Sequence, residues 1–397
     1  MRRIPASEEN SKRTTMRIRV LRIIARMNVG GPAVQVFGIS RSIDSEVFNH
    51  RLITGFCNDD EIDYLDLHKL TLKVGRIEGL GRSLNLKSDF RAFLRIRSII
   101  KEFRPHIIHT HTAKAGFLGR IASVTVLTNS LLVHTFHGHL LTGYFSPLKT
   151  RVVIGIERFL AYFTDTLIGV GEQVVDDLVG AGIGNRKKFR VINPGLEVKA
   201  EFSRDHTRKE LGIELDAFVI VWVGRFAEIK APERVIAIAR KSVQSNRRIR
   251  FLMIGGGSLL ELVQKESESE NLPISFLGWR SDPEDLIASA DLLLMTSKNE
   301  GTPISAIQAQ VLGVPVLSTN VGSINEIVFD GRTGFIAPFD VEKFHELISR
   351  LSENKSLWKS LSREAKSLAH DRFSVHRLVK DHEDLYKEIS LKHQANG

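Results

Sequence analysis

Asn299-Glu300-Gly301-Thr302-Pro303 sets a carboxylate, two small residues and a proline in a row, after the apolar run Leu292 to Met295 and before the helical pattern Ile304 to Leu312. Proline suits a first helical turn, so free N–H groups around Gly301 and Thr302 beside Glu300 would make an anion and hydroxyl site. The plainer alternative makes Glu300 a dipole-favoured helix-start residue. Arg225 and Lys230 stand five residues apart just after Val223-Gly224. A forked guanidinium and a point-charge ammonium at a strand exit are suited to neutralising a diphosphate. Gly30-Gly31-Pro32 and Gly255-Gly256-Gly257 each follow an apolar run, where side-chain-free backbone can approach a phosphate or simply close a tight turn. Neither has the spacing of a dinucleotide fingerprint.

Histidines gather in two places, His106, His109 and His111 in the first, His134, His137 and His139 in the second. A catalytic zinc site wants about three ligands and an open position. No carboxylate or cysteine joins these histidines nearby, and alternate histidines along a strand equally make a half-buried structural pair. The competing functional reading gives His137, in Thr135-Phe136-His137-Gly138-His139, a hydrogen bond to a polar substrate at the end of a strand.

The chain that must position these groups has 397 residues, 42% hydrophobic and 26% charged. That length favours two packed domains, and the composition is that of an ordinary folded protein. A single cysteine, Cys57, fits a reducing compartment. No run of 18 or more apolar residues is present to cross a bilayer, and Met1-Arg2-Arg3 leads into Ser7-Glu8-Glu9-Asn10 rather than an apolar signal core. The formal charge of +10 is uneven: residues 1–195 hold 29 basic and 17 acidic groups, +12, whereas 196–397 hold 27 and 29, −2. An anionic partner for the first half is one expectation, a solubility charge the other. Nucleic acid is disfavoured, since the run Arg91, Arg95, Arg97, Lys101, Arg104 is read as lacking aromatic interleaving and shows no zinc-finger or basic-zipper pattern.

Short β-branched runs alternate with helical patterns from Ile18 onward, and the rhythm restarts after Asn193-Pro194-Gly195 at Phe218. Strand, helix, strand implies parallel sheets with helices on both faces, so the fold class is α/β, two doubly wound Rossmann-like domains. The expected division is a tail over 1–15, an N-terminal acceptor domain over 16–195, a C-terminal donor domain over 196–371, and a helix over 372–397 long enough to cross back to the first domain. Met16 is an alternative start. Ligands collect at the carboxyl ends of such strands, which places the chemistry in the cleft between the domains.

In their order, Asn28-Val29-Gly30-Gly31-Pro32, His109-Thr110-His111-Thr112-Ala113-Lys114-Ala115-Gly116 with Gly119-Arg120, His134 to His139, Val191 to Gly195, Val223-Gly224-Arg225-Phe226 with Lys230, and Asn299 to Pro303 resemble the retaining family 4 glycosyltransferases of GT-B fold, which include capsule and lipopolysaccharide enzymes. The resemblance covers roughly residues 17 to 390. It implies a metal-independent hexosyltransferase with no cofactor, a nucleotide-diphosphate sugar donor, more often UDP-linked, and a saccharide or polyprenyl-diphosphate-linked acceptor. Gly30, Gly31, Arg225 and Lys230 would hold the diphosphate, and Glu300, Gly301, Thr302 and Pro303 the donor sugar. His137 would touch the transferring sugar. Gly255 and Gly278 would line the nucleotide, with the base selected near Gly278-Trp279. His111, Lys114 and Arg120 would face the acceptor.

One departure is Gln308, where the family usually has a second glutamate that grips the ribose; Gln308→Glu is expected to raise donor affinity. The basic first domain, with Lys149, Arg151 and Arg158 on an amphipathic stretch, would suit the anionic inner face of the cytoplasmic membrane. A non-hydrolysing nucleotide-sugar epimerase of the same fold, or a catalytically silent nucleotide-sugar-binding relative, are the alternatives.

Overall fold

The computed structural model describes residues 17–59, 61–83, 85–138, 146–245 and 248–396. The tail over 1–15, Met16 and His139 lie outside them. In the first domain the chain runs β1 (Ile18–Ile24), α1 (Gly31–Ser42), β2 (Phe48–Thr54), α2 (Tyr64–Leu67), β3 (Val74–Arg76), α3 (Leu86–Phe103), β4 (Ile107–His111), α4 (Ala113–Val126), β5 (Leu131–Phe136), α5 (Pro147–Phe163), β6 (Thr166–Gly169), α6 (Glu172–Gly180) and β7 (Phe189–Val191). The second domain continues with α7 (Arg204–Glu210), β8 (Phe218–Val223), α8 (Glu233–Ser245), β9 (Ile249–Ile254), α9 (Leu260–Ser269), β10 (Ile274–Phe276), α10 (Pro283–Ser289), β11 (Leu292–Met295), α11 (Ile304–Leu312), β12 (Val316–Thr319), β13 (Gly334–Ala337), α12 (Val341–Glu353) and α13 (Lys355–Ala369). A last helix, α14 (Val375–Asn396), follows.

Among the described residues the strands form two sheets, ordered β3-β2-β1-β4-β5-β6-β7 and β10-β9-β8-β11-β12-β13, and every named pairing is parallel. Strands covered on both faces read as largely apolar runs, and Leu292 to Met295 are buried at all four positions. Each sheet reverses its strand order once, between β1 and β4 in the first and between β8 and β11 in the second. Loops leaving neighbouring strands at such a reversal part to opposite faces and open a crevice.

The period of two along the first sheet decides which side chains meet. Val20 and Arg22 of β1, Ile107 and His109 of β4, and Val133 and Thr135 of β5 alternate onto the face covered by α1 and α14. Leu21, Ile23, Ile108 and Leu132 turn to the other face, under α3 and α4. Helix α14 buries Leu378, Leu385 and Tyr386 in the first domain's core, against Val20, Ile39 and Phe48. The chain thus crosses twice between domains. The crossings are tied: Leu196 N–H donates to Phe373 O at 2.9 Å, and Arg377 Nη2 donates to Asn193 O and Pro194 O at 2.8 and 2.7 Å.

Helix α3 corrects one reading, because Phe90, Phe93 and Phe103 do stand among its bases, and Arg97 lies over the Phe93 ring at 5.7 Å. Among the described residues no helix is long and apolar enough to cross a membrane.

Candidate active site

Adjacency of β8 and β11, with Leu292 beside Ile220, brings their exit loops together at the second domain's crevice. Lys230 Nζ on one loop reaches Glu300 Oε1 on the other at 2.5 Å, and Ser297 Oγ donates to the same oxygen at 2.6 Å. The glutamate is 9% exposed and the lysine 26%, so a charge pair sits at the floor of the cleft with its ammonium toward solvent. Arg225 stands exposed on the Lys230 loop with no ion pair among the described residues, able to turn to an anion.

The first domain meets this floor backbone to backbone. A Cβ on Gly301 would lie 2.4 Å from His137 O, and one on Gly138 would lie 3.3 Å from Gly301 Cα. Only glycine permits that approach. A Cβ on Gly31 would lie 3.0 Å from Ile304, so the Gly30-Gly31 turn, His137-Gly138 and Glu300-Gly301 border one space. Helices α1, α4 and α11 all begin there with no side-chain cap and no acidic residue in the first turn. Their positive ends are left for an anionic ligand.

His137 follows β5, whose Thr135 is level with His111 of β4, so the two imidazoles share one face. His137 Nε2 lies 2.9 Å from His111 Nδ1, and His137 Nδ1 lies 3.4 Å from Gln35 Nε2. Burial, then the buried Arg22 guanidinium, push the His137 pKa down to about 3. The ring is neutral at working pH, a hydrogen-bonding group and not a proton shuttle.

Other expected residues have different occupations. Thr302 Oγ1 donates to Val170 O of the first domain at 2.7 Å, so its side chain joins the domains. Pro303 is the N-cap residue of α11. Gly255 adopts a left-handed φ of 127°, and a Cβ there would lie 2.0 Å from Gly224 O. It packs one exit loop on another. Gly278 O accepts from Gly255 N–H at 2.8 Å in the same packing.

The residues expected to face the acceptor divide. Arg120 is fully buried, 2.7 Å from Glu157 and bonded to Gly116 O, so it joins α4 to α5 and cannot meet an acceptor. His111 is 1% exposed and serves His137 instead. Lys114 pairs with Asp89 at 2.7 Å and is 11% exposed.

Gln308 Nε2 donates to Glu284 Oε1 at 2.6 Å, so a carboxylate from α10 stands beside the amide. Burial raises the Glu284 pKa. Burial, and then the Glu284 charge across the cleft, lift Tyr64 to about 12. Glu284 and Gln35 were not anticipated, although Gln35 is a lone polar residue in the apolar run Ala33 to Phe37. Glu326 was also missed; it accepts from Gln173 N–H and Asn193 Nδ2, both at 3.3 Å, across the domains. Among the described residues no group of three or more histidine, cysteine or acidic side chains is placed to hold a metal ion. The clustered histidines are bonded to one another and to Thr110, Thr135, Gln35 and Tyr386.

Two parallel α/β domains whose strand ends face each other define the GT-B class of fold. The family profile for "Glycosyltransferase Family 4" matches residues 29–200 and that for "Glycosyl transferases group 1" matches residues 203–368. Between them these profiles take in both domains, and the chain belongs to this glycosyltransferase family.

It is 27% identical over 338 residues to the UDP-Gal:alpha-D-GlcNAc-diphosphoundecaprenol alpha-1,3-galactosyltransferase of Escherichia coli, covering 82% of this chain and 86% of that one. The capsular polysaccharide biosynthesis glycosyltransferase CapM of Staphylococcus aureus is 23% identical over 337 residues, 82% of this chain and 87% of its own. Among solved structures, Anabaena HepE in complex with UDP-glucose superposes with a TM-score of 0.78 at 19% identity, over 94% of this chain and 100% of that one. WaaG, a glycosyltransferase involved in lipopolysaccharide biosynthesis, gives 0.73 at 17% identity, over 93% and 99%.

Proposed function

We propose that this glycosyltransferase transfers a hexose from a UDP-sugar to a lipid-diphosphate-linked saccharide in cell-surface polysaccharide assembly, with retention at the anomeric carbon and without a metal ion. The observation that carries the reading is the Lys230–Glu300 pair at the floor of the cleft, opposite His137-Gly138 and among three uncapped helix N-termini. Arg225, Lys230 and the helix ends neutralise the donor diphosphate, which replaces the work of a divalent ion. Glu300 accepts from hydroxyls of the donor sugar. The acceptor oxygen bonds to the anomeric carbon on the face from which the diphosphate departs. The bond from that carbon to the diphosphate oxygen breaks with its electron pair going to the diphosphate, and the acceptor proton passes to a diphosphate oxygen. The E. coli relative's stated substrates support the choice of UDP and of a lipid-diphosphate acceptor.

Docking at the inner face of the cytoplasmic membrane belongs to the same reading. Helix α5 exposes Leu148, Val152, Phe159 and Tyr162 beside Lys149, Arg151 and Arg158, an apolar and basic face suited to an anionic bilayer. Sedimentation with anionic vesicles is expected to be salt-sensitive and to weaken when those three bases are changed to glutamate; binding that survives the change removes this part.

A thermal-shift screen of nucleotide sugars with and without EDTA tests the donor. One UDP-sugar should raise Tm equally in both, whereas stabilisation abolished by EDTA overturns metal independence. NMR of the product should show the donor's anomeric configuration and no turnover without acceptor. Inversion overturns retention, and donor conversion without acceptor favours the epimerase.

A further inference from the structure

His137 is gripped at both ring nitrogens. Gln35 turns its amide nitrogen to Nδ1, and an amide nitrogen only donates, so Nδ1 accepts and the ring proton sits on Nε2. That N–H donates to His111 Nδ1 at 2.9 Å. His111 Nε2 is buried with no hydrogen-bond partner among the described residues, so the bond to His137 is what sets its ring.

Behind it the order of bonds is equally fixed. His111 stacks on His109 with centroids 4.2 Å apart. Tyr386 of α14 accepts from Arg22 Nη2 at 2.8 Å; since guanidinium has no lone pair to offer, the phenol hydrogen goes to His109 Nδ1 at 2.6 Å. His109 then donates through Nε2 to Thr135 Oγ1 at 2.7 Å. Arg22 is fully buried, gives its Nε hydrogen to His50, and has no carboxylate partner among the described residues. A layer of imidazole, phenol and guanidinium therefore backs the ring that faces the cleft, and one of its members comes from the far end of the chain.

We propose that His111 is a positioning residue for His137, fixing its tautomer and ring plane, and that α14 supports the donor site through Tyr386 and His109. The kinetic part rests on the transfer reading above; the structural part does not. Three variants test it, His111→Phe, His111→Gln and Tyr386→Phe, each read by ring ¹⁵N signals of His137, by UDP titration and by kcat. Losing a buried hydrogen bond that aligns the His137 ring at the cleft should lower kcat about 10- to 100-fold in His111→Phe, with KM and UDP affinity within about twofold. The ¹⁵N shifts of His137 should move from a single Nε2–H tautomer toward a mixture. Glutamine keeps an acceptor and should restore most of both. Tyr386→Phe removes one oxygen and should give a smaller effect of the same sign, which keeps the question open to measurement if phenylalanine at 111 prevents folding. Unchanged His137 signals in His111→Phe or Tyr386→Phe overturn the proposal, as does equal loss of UDP affinity and kcat in His111→Gln. If His137 responds as expected while the unmodified protein transfers no sugar, the transfer reading fails and the positioning stands.

Discussion

At the scale of single residues, the Lys230–Glu300 pair and Gln308 carry opposite lessons. Lys230 and Glu300 are 70 positions apart, and their types, their places after strands and the family resemblance marked them; the structure puts them 2.5 Å apart. Lys230→Ala should lower kcat/KM with a UDP-sugar about 100- to 1,000-fold by removing charge stabilisation of the leaving group, measured by initial rates. Gln308 is the contrary case. Taken alone, a glutamate there should tighten donor binding. With Glu284 Oε1 2.6 Å from the amide, however, Gln308→Glu sets two carboxylates against each other in a buried place. UDP affinity is expected to fall about tenfold in that variant and to recover within about threefold when Glu284→Gln is added, the non-additivity showing contact. An affinity gain in the single variant would refute the reading. Residue type was legible at both positions, but the partner at Gln308 was not, because it comes from another helix with no fixed spacing.

At the scale of elements, the sequence pattern marks strands with consecutive apolar residues well and the others poorly, whether they lie at an edge, as β3, β7 and β13 do, or inside the sheet, as β2 does. β8 and β11 are apolar runs, β5 opens on one, and β1 and β4 are found from Ile23-Ile24 and Ile107-Ile108 despite the Arg19, Arg22, His109 and His111 they also hold. β2 contains Asn49, His50 and Arg51, β3 and β7 have three residues each, and β13 opens on a glycine, so none of them stands out as an apolar run. Arg120 was expected to face the acceptor on the family resemblance, but α5 packs on α4 and supplies Glu157, a partner from another helix that no sequence spacing marks. Removing one member of a buried ion pair leaves the other charge stranded, so Arg120→Leu should cost about 3–5 kcal/mol and lower Tm markedly, with acceptor KM unchanged in the folded fraction. A normal Tm with raised acceptor KM would restore the acceptor role.

At the scale of the molecule, His109, His111, His134 and His382 are buried in the first domain, and each has its pKa lowered chiefly by burial. Arg22 reinforces this for His109, His111 and His382, and Arg120 for His134; Tyr386, His50, His137 and Arg377 complete the groups that face them. Unfolded histidine takes up its proton near pH 6.5, whereas these do so only at lower pH, so the stability present above 6.5 is lost as pH falls through that value. Each such group costs about 1.4 kcal/mol by pH 5.5, and four together cost about 6, comparable with a domain's whole stability. Circular dichroism should show loss of structure between about pH 6.5 and 5, and a fold stable to pH 4 would contradict it.

The returning helix sets a limit on the order in which the protein can be made. A ribosome that has delivered residues 17–195 has released every strand of the first sheet, yet Val20, Ile39 and Phe48 still lack the cover of Leu378, Leu385 and Tyr386, and Arg22 still lacks its phenol. The earliest lobe synthesised is therefore the last completed. A fragment ending at 195 should stay loosely packed until a peptide of residues 372–396 is supplied, and any truncation that trims those final turns strikes the opening strand rather than the neighbouring lobe.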